Sequence, residues 1–350
     1  MRRPARSRRQ IGVEPPRAAR GWPRRARSPA TTDPGAGPQQ LEDAQRFEAT
    51  LPAVVAGLPR GLRTRYAPAP TGFLHLGHVA NAVAVWGVAR ASSGAVVLRI
   101  EDHDRQRCRP EFEATLLDDL DVAGFTADEP DADAFRTGPS PFRQSDSVEA
   151  YEAAAEQLAS MGVVYGCDCS RATFSRWESA HGVAWTGPGC PGGCSGRDLG
   201  RAATGQTWRV ALGEGEVPWE DLAIGPQSGQ PATGGDLPIR DRHGNWTYAL
   251  CVVVDDLRHG IDLVIRGEDL VDSTPSQIRL ARLLGRHAPP LFLHHPLIRE
   301  PNGSKMSKAA GSVSVRALLA KGEAPGDLVD RAATAIGAQS LAAVARSGGS

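Results

Sequence analysis

Two short stretches, far apart in the chain, carry residue types that could grip a triphosphate. The first is residues 65–78, which read Arg-Tyr-Ala-Pro-Ala-Pro-Thr-Gly-Phe-Leu-His-Leu-Gly-His. Here His75 and His78 stand at the start of an apolar run that includes Val79, Val83, Trp86 and Val88. A helix beginning at this point offers unsatisfied backbone N–H groups and the positive end of its dipole, and both attract phosphate. Gly77 lets a ligand approach the backbone where a side chain would block it. Two imidazoles on such a turn can donate to phosphate oxygens. His-x-Gly-His alone is a weak signal, and it gains weight from the second stretch, Ser-Lys-Met-Ser-Lys-Ala at 304–309. The chain has 40 basic residues but only three lysines, Lys305, Lys308 and Lys321, and two of them fall in this loop. An ammonium is a compact point charge on a flexible stem, suited to following a phosphate on which charge develops. A guanidinium is a broad planar fork.

The elements that must position these residues follow from pattern. Leu62–Tyr66 predicts a short strand, and Val96–Ile100 is a β-branched run of the kind buried in a parallel sheet. The strand–turn–helix–strand order predicts an α/β fold with a right-handed crossover and a site beyond the carboxyl ends of the strands. Glu101, Asp102 and Asp104 stand at such an end. Helices are expected at 41–57, 111–124, 147–161 and 274–284, and a strand at 208–212. Residues 225–235, rich in Gly, Pro and Gln, read as a loop. Residues 248–256 read as a buried strand ending in two acids, with Cys251 in its core. Further strands are expected at 262–270 and 291–298. The last dozen residues are expected to fray.

The six cysteines do not form a disulfide framework, and a chain of 350 residues does not need one. Four of them make two close pairs, Cys167/Cys169 and Cys190/Cys194, in a stretch rich in Gly and Pro. That spacing suits tetrahedral Zn²⁺, and two chance pairs of free thiols are the alternative. Cys108 has no partner in sequence.

Taken together, the two stretches resemble the paired signature motifs of class I aminoacyl-tRNA synthetases. His75-Leu76-Gly77-His78 corresponds to their HIGH motif and Lys305-Met306-Ser307-Lys308-Ala309 to their KMSKS motif, with alanine last. The text around them, with Leu98-Arg99-Ile100-Glu101-Asp102-His103-Asp104, looks like the glutamyl branch, and the resemblance runs from about residue 62 to 320. It implies a Rossmann-type catalytic domain with a parallel sheet and an inserted zinc-knuckle region at 165–200. It implies ATP, with Mg²⁺, bound by His75, Gly77, His78 and Lys308, and catalysis by these histidines with Lys305 and Lys308. L-glutamate would meet Arg65 and Arg266 as cationic forks, Glu101 as the acid for its ammonium, Tyr248 as a hydroxyl donor, and Ala69 where the family usually has serine. The short paralogues of this branch, the glutamyl-queuosine tRNA(Asp) synthetases, carry a similar knuckle with three cysteines and a tyrosine. Here Cys190 stands where that tyrosine would be. Too few residues follow Lys308 for the helical anticodon-binding region of discriminating glutamyl-tRNA synthetases. The implied activity is tRNA-independent activation of glutamate and its transfer to queuosine in tRNA(Asp). The alternatives are a shortened tRNA(Glu)-charging enzyme, a small nucleotidyltransferase with the same turn, and an inactive RNA-binding paralogue.

Composition narrows the rest. No run of about 18 apolar residues exists, so no membrane span is expected. The formal charge is zero, yet residues 1–27 hold ten arginines and one acid. The remainder has 30 basic against 39 acidic residues, about −9, so nucleic acid must be met by local basic patches. Residues 1–40 read as a disordered Arg/Pro-rich extension, 41–320 as the catalytic domain and 321–350 as a short tail. A cytoplasmic monomer is expected.

Overall fold

A computed structural model describes residues 37–185, 190, 193–197, 199, 205–232, 235–300, 306 and 313–347. Helix α1 (Pro38–Gly57) buries Ala44, Phe47, Leu51 and Val54, which recur every three or four residues. It begins inside the stretch expected to be an extension; residues 1–36 lie outside the described residues. Strand β1 (Arg63–Tyr66) leads through the histidine turn into α2 (Leu76–Ala91) and on to β2 (Ala95–Leu98). Strands β1 and β2 pair in parallel, Arg63 with Ala95 through Tyr66 with Leu98. Eleven of the 16 residues of α2 are buried, so the helix is covered on nearly every side.

Next come α3 (Pro110–Ala123), α4 (Ala132–Thr137) and α5 (Val148–Ser160). Pro110 at the first helical position, two acids in the first turn and Gly124 in the left-handed conformation bound α3 as its sequence suggests. The inserted region holds β3 (Val164–Cys167), α6 (Arg171–His181), β4 (Thr207–Val210), β5 (Val217–Asp221), β6 (Gly225–Gly229) and β7 (Leu237–Arg240). The chain continues as α7 (Tyr248–Arg258), β8 (Leu263–Gly267), α8 (Thr274–Leu283), β9 (Leu291–His295), α9 (Val315–Ala320), α10 (Pro325–Ile336) and α11 (Gln339–Ala345).

The main sheet has the order β6-β5-β9-β8, with β8 parallel to β9 and β6 antiparallel at the edge. Asp262, just before β8, donates its N–H to the Arg63 carbonyl at 2.8 Å, so the ends of β1 and β8 lie side by side. A separate antiparallel sheet, β3-β4-β7, has its own core of Leu158, Val210, Ile239 and Leu250.

Three expectations are corrected. Residues 248–258 form α7, a helix, where a strand was expected; an unbroken apolar run buried on all sides has no periodicity to separate the two. Cys251 is in the core as expected, but on that helix. The Gly/Pro/Gln stretch contains β6, paired with β5 from Val217↔Gly229 to Asp221↔Gly225. Within the stretch expected to be a tail with a frayed end, residues 348–350 lie outside the described residues, and Pro325–Ile336 and Gln339–Ala345 form α10 and α11, packed on α1 and α2. Leu328, Val329, Ile336 and Leu341 are buried there.

Candidate active site

The turn between β1 and α2 is built by the histidines themselves. His75 is the N-cap of α2, and its ring Nδ1 accepts the Gly77 N–H at 3.1 Å. The His78 ring closes the turn the other way, with Nδ1 accepting the His75 N–H at 3.2 Å. A ring nitrogen that accepts from a backbone amide carries no proton. In the neutral imidazoles the N–H therefore sits on Nε2, where it is a donor. The ring centroids are 4.0 Å apart. A Cβ at Gly77 would lie 3.0 Å from the His75 ring, so alanine there would press on that ring and require it to shift by a few tenths of an ångström. From below, the Tyr66 hydroxyl donates to the His78 carbonyl at 3.2 Å, and burial raises the pKa of that phenol well above its ordinary value.

One cavity of about 590 Å³ opens at this turn. It is lined by every predicted glutamate and ATP residue that falls among the described ones: Arg65, Ala69, His75, Gly77, His78, Glu101, Tyr248 and Arg266. Its size is in the ordinary range for small-molecule sites. Lys305 and Lys308 lie outside the described residues; Met306 between them lines the cavity and donates its N–H to the Ile298 carbonyl at 3.2 Å.

Beneath the cavity is a buried ionic network that sequence reasoning missed. Arg99 is fully buried and donates to Glu101 at 2.9 Å and to Asp256 at 2.7 Å. Asp256 also accepts Arg65 Nε at 3.2 Å, and Arg65 Nη1 donates to the Ile265 carbonyl. Arg65 Nη2 makes no hydrogen bond to another of the described residues. Asp255, next to Asp256 on α7, accepts from Gln144 and from the Tyr151 hydroxyl. Gln144 in turn holds His103, on the cavity wall, at 2.7 Å. Burial works against the charge on Arg99, but Asp256, Glu101 and Asp255 together hold its pKa well above the ordinary value. Burial likewise opposes Asp256 ionisation, and the Arg65 and Arg99 guanidiniums outweigh it and keep its pKa low. The signal that could have found these acids is their position in the last turn of α7, facing two arginines. The strand assignment hid it.

Arg266 lines the cavity but is already engaged. Its Nε donates to His294, Nη1 to Gln277 at 2.6 Å, and Nη2 to Thr274 at 2.7 Å and to the Leu270 carbonyl. Burial lowers its pKa. The expected open fork is thus a guanidinium held mostly by the protein.

Cys167, Cys169, Cys190 and Cys194 come together at the foot of β3, all buried, with their sulfurs within 4.8 Å of one another. Burial pushes the Cys169 thiol up, and the Cys194 thiol up to about 11. Four buried thiols held this close fit a divalent metal ion, whose charge would stabilise them as thiolates.

A parallel sheet whose first crossover carries two histidines at a helix N-terminus, above a cavity walled by acids and arginines, is the catalytic architecture of class I aminoacyl-tRNA synthetases. Residues 61–183 and 201–332 match the family model described as tRNA synthetases class I (E and Q), catalytic domain. A glutamyl-Q tRNA(Asp) synthetase of Symbiobacterium thermophilum is 41% identical over 276 residues, 76% of this chain and 83% of that protein. One from Rhodobacter capsulatus is 38% identical over 284 residues, 76% of this chain and 97% of that protein. A glutamate–tRNA ligase of Syntrophus aciditrophicus is 38% identical, but the chain spans only 56% of it. Among solved structures, a glutamate tRNA ligase from Elizabethkingia meningosepticum in complex with its amino acid superposes with a TM-score of 0.65 at 26% identity, over 78% of this chain and 60% of that one. The chain belongs to the glutamyl and glutaminyl class I synthetase family and, within it, to the glutamyl-Q tRNA(Asp) synthetases; it is an enzyme of the ligase class.

Proposed function

We propose that the chain activates L-glutamate with ATP, without needing tRNA, and passes the glutamyl group to the queuosine of tRNA(Asp). The observation that carries this reading is that a single cavity is lined by both motif histidines and by Arg65, Glu101, Tyr248 and Arg266. The glutamate α-carboxylate attacks the α-phosphorus in line, and pyrophosphate leaves. Positioning and charge stabilisation supply most of the acceleration in such a step. The Nε2–H groups of His75 and His78 donate to phosphate oxygens beside the positive end of α2. Lys305 and Lys308 are assigned to the departing pyrophosphate, a role supported by Met306 reaching the cavity wall. Arg65 Nη2 and the Tyr248 hydroxyl are the donors for glutamate carboxylate, and Glu101 takes the ammonium. Mg²⁺ accompanies the ATP phosphates. Zn²⁺ held by Cys167, Cys169, Cys190 and Cys194 would tie β3 to the segment that carries Cys190 and Cys194.

Glutamate-dependent exchange of pyrophosphate into ATP, with no tRNA present, is the expected activity, and its absence would overturn the reading. Transfer is then tested on queuosine-containing tRNA(Asp) and on tRNA(Glu). Charging of tRNA(Glu) alone would favour the second reading, a shortened tRNA(Glu)-charging enzyme, which the similarity to glutamate–tRNA ligases supports.

A further inference from the structure

We propose that Asp221 and His294 are positioning residues for the amino-acid pocket: a buried carboxylate–imidazole pair that holds Arg266 in the cavity wall. That this pocket takes an amino acid rests on the glutamate reading above.

Asp221 closes β5 and is fully buried. Its Oδ1 accepts the N–H groups of Ala223 and Ile224 at 2.9 and 3.1 Å; its Oδ2 accepts the backbone N–H and the ring Nδ1–H of His294. His294 lies opposite, on β9, and is also buried. The other ring nitrogen, Nε2, accepts Arg266 Nε–H at 2.9 Å. Arginine can only donate, so the direction of each bond is fixed. Nε2 must present its lone pair, and Nδ1 must carry the proton that meets Asp221. The string Asp221–His294–Arg266 therefore runs in one direction and ends in a guanidinium on the cavity wall. A substrate carboxylate, which only accepts, suits such a wall; an ammonium or amide nitrogen in the same place would set donor against donor.

A purely structural role for His294 is the competing account, since its ring also stacks on Phe292 at 6.1 Å and 8°. His294→Phe keeps a flat ring there and removes both hydrogen bonds. The expected result is a rise of about tenfold or more in KM for glutamate, with KM for ATP within about twofold. In an Arg266→Lys background the same change should add less than about twofold, because the pair acts through that guanidinium. Losses that simply multiply would overturn the proposal. A second measurement needs no variant activity. Nitrogen-15 NMR of labelled histidine in the wild-type chain should find His294 as the Nδ1–H tautomer, with its signal displaced in Asp221→Asn. An Nε2–H tautomer would also overturn the proposal. A wild-type enzyme that shows no glutamate-dependent exchange would instead sink the glutamate reading, while the tautomer still decides whether the pair exists.

Discussion

His75 has two jobs on two nitrogens, and a substitution can separate them. Asparagine places an acceptor where Nδ1 was and is among the best N-caps, but it has nothing at the Nε2 position. His75→Asn should leave stability within about 1 kcal/mol and lower glutamate-dependent exchange by about 10²–10³-fold, the usual effect of losing one transition-state donor. Urea unfolding and pyrophosphate exchange measured on the same preparation check both halves. Buried titratable groups predict a pH dependence of stability. Burial lowers His259 and His295 from 6.5 to about 4, so the unfolded chain takes up protons from pH 6.5 downward that the folded one refuses until about 4. Asp119 runs the other way, raised by burial from 3.8 to about 6. Two groups outweigh one, so stability should be full above pH 6.5 and fall toward pH 4. Denaturant midpoints across that window test this, and His259→Asn should flatten the slope. The motif histidines and Gly77 were legible in the sequence because spacing alone joins them. Arg99 and Asp256 were not, because they meet across 157 positions of chain.

At the scale of elements, close approach decides what can change. Gly337 ends α10 with φ at +70°, and a Cβ there would collide with the backbone carbonyl of Ala44 on α1. Gly337→Ala should cost about 1 kcal/mol from backbone conformation, plus the cost of moving α1 away; the shift in urea midpoint measures it. Removing the partner at the centre of the ionic network is a harsher change. Arg99→Met strands Asp255, Asp256 and Glu101 in the interior and should cost roughly 3–5 kcal/mol. Here the sequence misled in a physically sensible way. Residues 249–254 are uniformly apolar, and a core helix and a core strand then look alike. Strand β6 was hidden for the opposite reason: its Gly, Pro, Gln and Ser carry little β preference, and pairing with β5 at a sheet edge makes it a strand.

Over the whole molecule, the cysteine cluster and the terminal helices carry the remaining predictions. Metal analysis should find about one zinc per chain, lost in Cys167→Ser, because a tetrahedral site with one ligand replaced binds far less tightly. Among the described residues no helix is long and apolar enough to cross a membrane, as the composition suggested. A chain ending at Ala338 should lose cooperative unfolding or melt well below the full chain, because α11 covers the apolar face of α2, where a Cβ on Gly87 would already strike Leu341. This placement has a consequence for biosynthesis. The helix whose first turn would seize ATP ends at Ala91, whereas the two segments that roof it begin only at Pro325 and Gln339 and so are made much later. On the ribosome the flank of that helix therefore stays uncovered until those segments emerge. Ribosome-tethered chains stalled with α10 still inside the exit tunnel should be held by holdase chaperones, and those stalled with Ala345 already outside it should not.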